Sequence, residues 1–235
     1  MVIDQSVSMA GSVVIGAEII EKSVMVARVA NELIAELVER TRRLDGLRDY
    51  YDVAIVGYSG LGVRSLLGDD DFLPITQLDQ RCAQEAKVLR EYRFSDGQTM
   101  ISDLCERRWV EPLATGSTPM FEALLYVRDI VEQWCLREEN RDSFPPVIYN
   151  ITDGESTDCD YQDICDISSQ IKNIATRDGG ALLFNTHIAS SASSGSLLFP
   201  SEEQMSAWEE VSRSARSLFD ASSHLPPPFV IMFVV

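Results

Sequence analysis

Three apolar runs, each too continuous for a half-exposed sheet, constrain what this chain can fold into. Asp52-Val53-Ala54-Ile55-Val56-Gly57-Tyr58 reads as a strand buried on both faces. Val147-Ile148-Tyr149-Asn150-Ile151 and Ala181-Leu182-Leu183-Phe184-Asn185-Thr186-His187-Ile188 read as a second and a third internal strand. Met1 to Asp4 adds a short apolar strand ending in a polar turn. Helical patterns separate these runs. From roughly Val13 to Arg43, Val26, Ala30, Leu33, Ile34, Leu37 and Val38 recur on one helix face. Arg40, Arg42 and Arg43 suit its last turns, and Gly46 its stop. Pro119 to Trp134 reads as a second helix, with Pro119 in the first turn and Ser117 or Thr118 as cap. Phe144-Pro145-Pro146 breaks the chain after it. Asp163 to Thr176, stopped near Gly179-Gly180, and Ser201 to Phe219 complete the helical set.

Alternation of this kind predicts a doubly wound α/β fold, a mainly parallel sheet with helices on both faces. Gly60 and Gly62 mark a tight turn from which Val63 to Leu67 returns as one antiparallel edge strand. Gly68 to Asp71 reads as a solvated acidic turn, and residues 76–110 are polar with weak helical signals. We expect one domain over residues 1–235, with 190–235 as a C-terminal extension. That extension opens on a serine-rich loop, Ser190 to Ser196, and closes on the apolar run Phe229 to Val235. The run reads either as a sheet-edge strand or as a sticky segment awaiting a partner.

Charge narrows the partners. The chain carries 20 basic and 37 acidic residues, a formal net charge of -17. Such a field repels phosphate backbones, so nucleic acid is not an expected partner; cations and basic surfaces are favoured, with solubility as the plain alternative. No apolar run approaches the ~18 residues of a membrane span. No basic region followed by an apolar stretch opens the chain, and the five cysteines are odd in number and without a CxxC pair. Reduced thiols and a cytoplasmic location are therefore expected. Cys159 and Cys165 match the spacing of no zinc module.

Doubly wound sheets gather ligands at the carboxyl ends of their strands. The first strand ends in Asp4-Gln5-Ser6-Val7-Ser8. In extended chain, alternate side chains point the same way, so Asp4, Ser6 and Ser8 can converge. One carboxylate and two hydroxyls are hard oxygen ligands, suited to magnesium or manganese. Thr152-Asp153-Gly154-Glu155 ends the Val147 strand, and Thr115-Gly116-Ser117-Thr118-Pro119 precedes a helix. Plain readings stand beside these: a polar turn for the first cluster, a helix cap for Thr118, and either a tuning or a solvated role for Glu155. His187 reads as a hydrogen-bonded structural residue, and His224 has no evident partner. Asp158, Asp160, Asp163 and Asp166 lack the Gly and terminal Glu of a calcium loop and read as a solvated helix start.

The three clusters, in this order, resemble the metal-ion-dependent adhesion site of von Willebrand factor A domains, a Rossmann-like fold. That pattern is Asp-x-Ser-x-Ser, a distant Thr in a Gly-rich loop, and an Asp after a buried strand; Asp4, Ser6, Ser8, Thr118 and Asp153 fill its positions. The match in element order spans roughly residues 1–190. Val7 stands where the family usually has Gly, and only three residues precede Asp4, which a segment upstream would explain. The resemblance implies Mg2+, with Mn2+ or Ca2+ as alternatives. Ser6, Ser8 and Thr118 would hold the ion, while Asp4 and Asp153 supply charge through waters or the serine hydroxyls. A partner protein's Asp or Glu would take the open position. It further implies a non-enzymatic adaptor of the bacterial cytoplasmic kind, working beside kinases, phosphatases or ATPases in signalling, stress or defence assemblies. A phosphatase-like metal hydrolase is the competing expectation. Those sites place a carboxylate two residues after the first Asp, where this chain has Ser6. Surface adhesion is the third, and the unpaired thiols weigh against it.

Overall fold

The computed structural model describes residues 1–15, 18–82, 84–93, 99–154, 156–188, 205 and 213–224. Strand β1 (Val2–Asp4) leads through a 3-10 turn (Val7–Ala10) into a hairpin of β2 (Ser12–Ile15) and β3 (Glu18–Glu21). Helix α1 (Lys22–Thr41) follows, then the short pair β4 (Arg42–Arg43) and β5 (Gly46–Leu47). Next come β6 (Asp52–Val53), β7 (Val56–Ser59), β8 (Gly62–Ser65), β9 (Leu73–Pro74) and α2 (Ile75–Gln80). A long hairpin, β10 (Gln84–Arg93) with β11 (Thr99–Arg108), precedes α3 (Met120–Leu136) and β12 (Val147–Thr152). The remaining elements are α4 (Tyr161–Asn173), the small pair β13 (Ala175–Thr176) and β14 (Gly179–Gly180), β15 (Leu182–His187) and α5 (Arg213–Ala221).

The central sheet has five strands in the order β15-β12-β1-β7-β8. β1 is parallel to β12 and β7, β12 is parallel to β15, and only β8 runs antiparallel. The chain winds from β1 to β7 on one side, then returns past β1 to β12 on the other. Strand order thus reverses beside β1, where this architecture opens a crevice for ligands. Alternation along β1 divides the core: Val2 packs with α3, α4 and α5, while Ile3 packs with α1 and α2. Helices therefore cover both faces, the doubly wound architecture that the alternating patterns predict.

Several local expectations change. Residues 13–15 and 18–21 are paired strands, not the start of a helix: Val13 pairs with Ile20 and Val14 with Ile19, as β-branched residues favour. On α1, Val26, Ala30, Ile34 and Val38 are buried as expected, whereas Leu33 is exposed. The 52–58 run splits, with β6 pairing to β9 and only β7 joining the central sheet. Residues 76–110 hold the end of α2 and the long hairpin. β15 ends the described sheet instead of lying inside it. The acidic turn is engaged as well as solvated, since Asp70 pairs with Arg81 and Asp71 accepts from Tyr126. No described helix is long and apolar enough to cross a membrane. The serine-rich loop, most of the 201–219 helical stretch and the 229–235 run lie outside the described residues.

Candidate metal site

β1 and β12 lie side by side, so Asp4 and Asp153 emerge near each other at their carboxyl ends. Asp4 is fixed from both sides: Oδ1 accepts the Ser6 amide at 2.9 Å and Oδ2 accepts the Thr152 hydroxyl at 2.7 Å. Ser6 caps the 3-10 turn in extended conformation. Ser8 therefore reaches the site because the turn folds back on itself, not because the strand continues. The Ser6 and Ser8 hydroxyl oxygens are 2.9 Å apart, and Ser8 Oγ donates to Asp153 Oδ1 at 2.9 Å. Proton bookkeeping gives the direction. Ser8 spends its only hydrogen on Asp153, so it accepts in the contact with Ser6, whose hydroxyl is shared between Ser8 and Asp4; each serine oxygen keeps a lone pair.

Thr118 arrives by backbone contacts. The Val7 amide donates to the Gly116 carbonyl at 3.0 Å, and the Thr115 amide to the Gln5 carbonyl at 2.8 Å. Gly116 takes φ +67, and a Cβ there would lie 2.5 Å from the Gly60 Cα, so the loop crosses the turn between β7 and β8 with no room for a side chain. Thr118 is buried, with its amide on Thr157 Oγ1 at 3.0 Å; among the described residues its hydroxyl makes no hydrogen bond to the Asp4–Asp153 chain. It does not cap α3 either. That role falls to Asp158, whose carboxylate accepts the Phe121 and Glu122 amides at 3.2 and 3.0 Å. Asp160 and Asp163 form the capping box of α4, and Asp166 accepts from Gln162. Glu155 lies outside the described residues.

Two residues take roles that the sequence does not assign them: Thr152, which it places only within a strand-end cluster, and Lys22, which it does not single out. Thr152 is fully buried and holds Asp4, while its own oxygen accepts the Gly154 amide at 2.9 Å. Lys22 is the larger omission: its Nζ lies 3.0 Å from Asp153 Oδ2, with side-chain exposures of 3% and 7%. The signal was a lysine at the first position of α1, where the helix dipole disfavours a cation. Val7, by contrast, points its side chain to solvent.

Burial raises the Asp4 carboxyl above its ordinary range; hydrogen bonds from Ser6 and Thr152 work against this, and the neighbouring Asp153 adds to it. His187 pairs in register with Thr152 and packs on Gly154, where a Cβ would sit 2.7 Å from its ring. Burial lowers the imidazole below its usual value of 6.5, partly offset by its contacts with Asp153, so the ring is neutral at pH 7. His224 stacks edge-on against Phe219. The donor set at these strand ends is thus two carboxylates and serine hydroxyls with free lone pairs, all hard oxygens, with Ser8 exposed to solvent. Such a set fits a hard divalent cation and not a soft one. The chain matches no protein-family model and no curated protein.

Proposed function

We propose that this chain is a von Willebrand A-type module that uses a divalent cation, Mg2+ first, to grip a protein partner. One observation carries the reading. The Ser8 hydroxyl joins the Asp4-x-Ser6-x-Ser8 loop to Asp153, across 145 residues of sequence, at the point where strand order reverses. Ser6 and Ser8 hold the ion through their hydroxyls, Thr118 through its loop, and Asp4 and Asp153 balance its charge. The ion supplies a Lewis-acidic position for an oxygen from outside. The chain's own residues do the rest: Thr152 keeps Asp4 oriented, and the Gly60–Gly116 crossing holds the Thr118 loop against the site.

The partner group is an Asp or Glu carboxylate, and the role is that of a cytoplasmic adaptor of bacterial type beside a kinase, phosphatase or ATPase. Among the described residues Cys82, Cys135, Cys159 and Cys165 form no disulfide, which supports that setting. The test is an affinity pull-down from source-cell lysate with magnesium, with chelator, and with Asp4→Ala. A partner retained only by the wild type in magnesium is expected. Equal recovery in all three arms would overturn metal-gated recognition.

A further inference from the structure

The metal reading leaves Lys22 unexplained. Its ammonium is almost wholly removed from water against Asp153, a placement that is expensive unless something beyond stability requires it. The helix does not ask for it. Lys22 opens α1, whose cap Glu21 makes no side-chain capping bond and whose first turn holds no acid. A cation there opposes the helix dipole, and a lysine of ordinary purpose would extend its stem and leave its head in water. The chain is also sparing with this residue: only three of its 20 basic side chains are lysines, at 22, 87 and 172. A compact ammonium fits a crowded polar cluster where a planar guanidinium would not. The Lys22 stem lies against Gly11, whose Cα would carry a Cβ in ordinary contact with Lys22 Cε and Nζ, at 3.5 and 3.6 Å.

Charge counting shows what the ammonium does. Asp4, Asp153 and Lys22 together leave the hydrogen-bonded chain with one net negative charge. A divalent cation converts this to one net positive charge, and one incoming carboxylate returns it to neutrality. With an uncharged residue at 22, the loaded site would already be neutral, inside a protein whose formal charge is -17. A carboxylate would then meet repulsion from the surroundings and no attraction from the site.

We propose that Lys22 sets the selectivity of the site: its ammonium competes with the cation for Asp153 and, once the cation is seated, keeps the site positive so that it takes an anionic group. This rests on the metal reading above. Cation affinity is traded for carboxylate affinity, and the two must move in opposite directions when the charge is removed.

The experiment compares wild type with Lys22→Gln, which keeps a donor for Asp153 without the charge. Mn2+ binding is read by electron paramagnetic resonance. Acetate, the minimal carboxylate, is then followed on the Mn2+-loaded proteins by paramagnetic relaxation of its methyl protons. The variant is expected to bind Mn2+ about tenfold more tightly and acetate about tenfold more weakly, a modest share of the force between charges a few ångströms apart. A merely structural role would weaken both or neither, and either result overturns the proposal. Absence of Mn2+ binding in both proteins overturns the metal reading with it. A second measurement needs no variant. Wild type treated with an amine-acetylating reagent should gain modification at Lys22 several-fold on Mn2+ saturation, read by mass spectrometry against Lys87 and Lys172. Equal modification with Mn2+ and with chelator contradicts the competition.

Discussion

Two polar clusters, one against helix α1 and one at the carboxyl ends of β1 and β12, are built on opposite principles. At α1, the Asn31 amide is satisfied entirely by backbone: Oδ1 accepts the Trp109 and Val110 amides at 2.8 and 2.9 Å, and Nδ2 donates to the Val110 carbonyl at 2.9 Å. It is neutral and pins the segment after β11 to the helix. At the strand ends, Asp4, Ser6, Ser8, Thr152, Asp153 and Lys22 are linked largely through side chains, and three of the six are ionic. A neutral clamp of the first kind stabilises by leaving no orphan donor. A charged cluster of the second kind recovers little more than its own desolvation, so stability alone does not account for it. The difference separates a residue that serves the fold from residues that, on the proposed function, serve a ligand.

The contrast can be broken most sharply at Lys22. Lys22→Met strands Asp153 as a buried lone charge and should cost about 3–5 kcal/mol of unfolding free energy in chelator. Saturating Mg2+ should restore a large part of it in urea titrations; a loss indifferent to Mg2+ would make the pair purely structural. Asn31→Ala is the matched control. It orphans three backbone groups and should cost about 3 kcal/mol, by the same amount with Mg2+ and with chelator. A smaller effect is expected from Gly116→Ala, about 2 kcal/mol as the crossing over Gly60 is forced apart. Because that loop carries Thr118, cation affinity should fall as well in a calorimetric titration.

The smallest effect is a pH slope. The His187 imidazole is held below 6.5 by burial, so just under that pH the unfolded chain binds more protons than the native one. Its contribution to stability is full above pH 6.5 and is lost as pH falls through the lowered value. The slope cannot exceed about 1.4 kcal/mol per pH unit. His187→Asn should flatten it in denaturation series between pH 5 and 7.

Sequence reading reached the frame of the molecule because its signals are cumulative: β7, β12 and β15 announce themselves as apolar runs, and α1 and α3 as repeated faces. It failed where one signal overran another. The periodic face from Val26 to Val38 drew residues 13–21 into the helix, although Val13, Val14, Ile19 and Ile20 pair across a hairpin. That misreading also hid Lys22, because a lysine inside a presumed helix looks like solvated surface. The long hairpin of β10 and β11 was missed because its charged sequence carries no apolar alternation strong enough to outweigh a polar average. At the site, Asp4, Ser6, Ser8 and Asp153 were legible as strand-end oxygens. The cap of α3 was not, since Asp158 supplies it from 37 residues away, and local capping rules see only neighbours.

The central claim is that the Ser6 and Ser8 hydroxyls, bridged to Asp153, form a seat for a divalent cation. Calorimetric titration of Mg2+ into wild type and into the Ser6→Ala/Ser8→Ala double variant tests it most directly, with Mn2+ as a tighter-binding check. The account predicts one ion per wild-type chain and at least a tenfold loss of affinity in the double variant, which keeps both carboxylates. No binding by wild type, or equal binding by both, would contradict it.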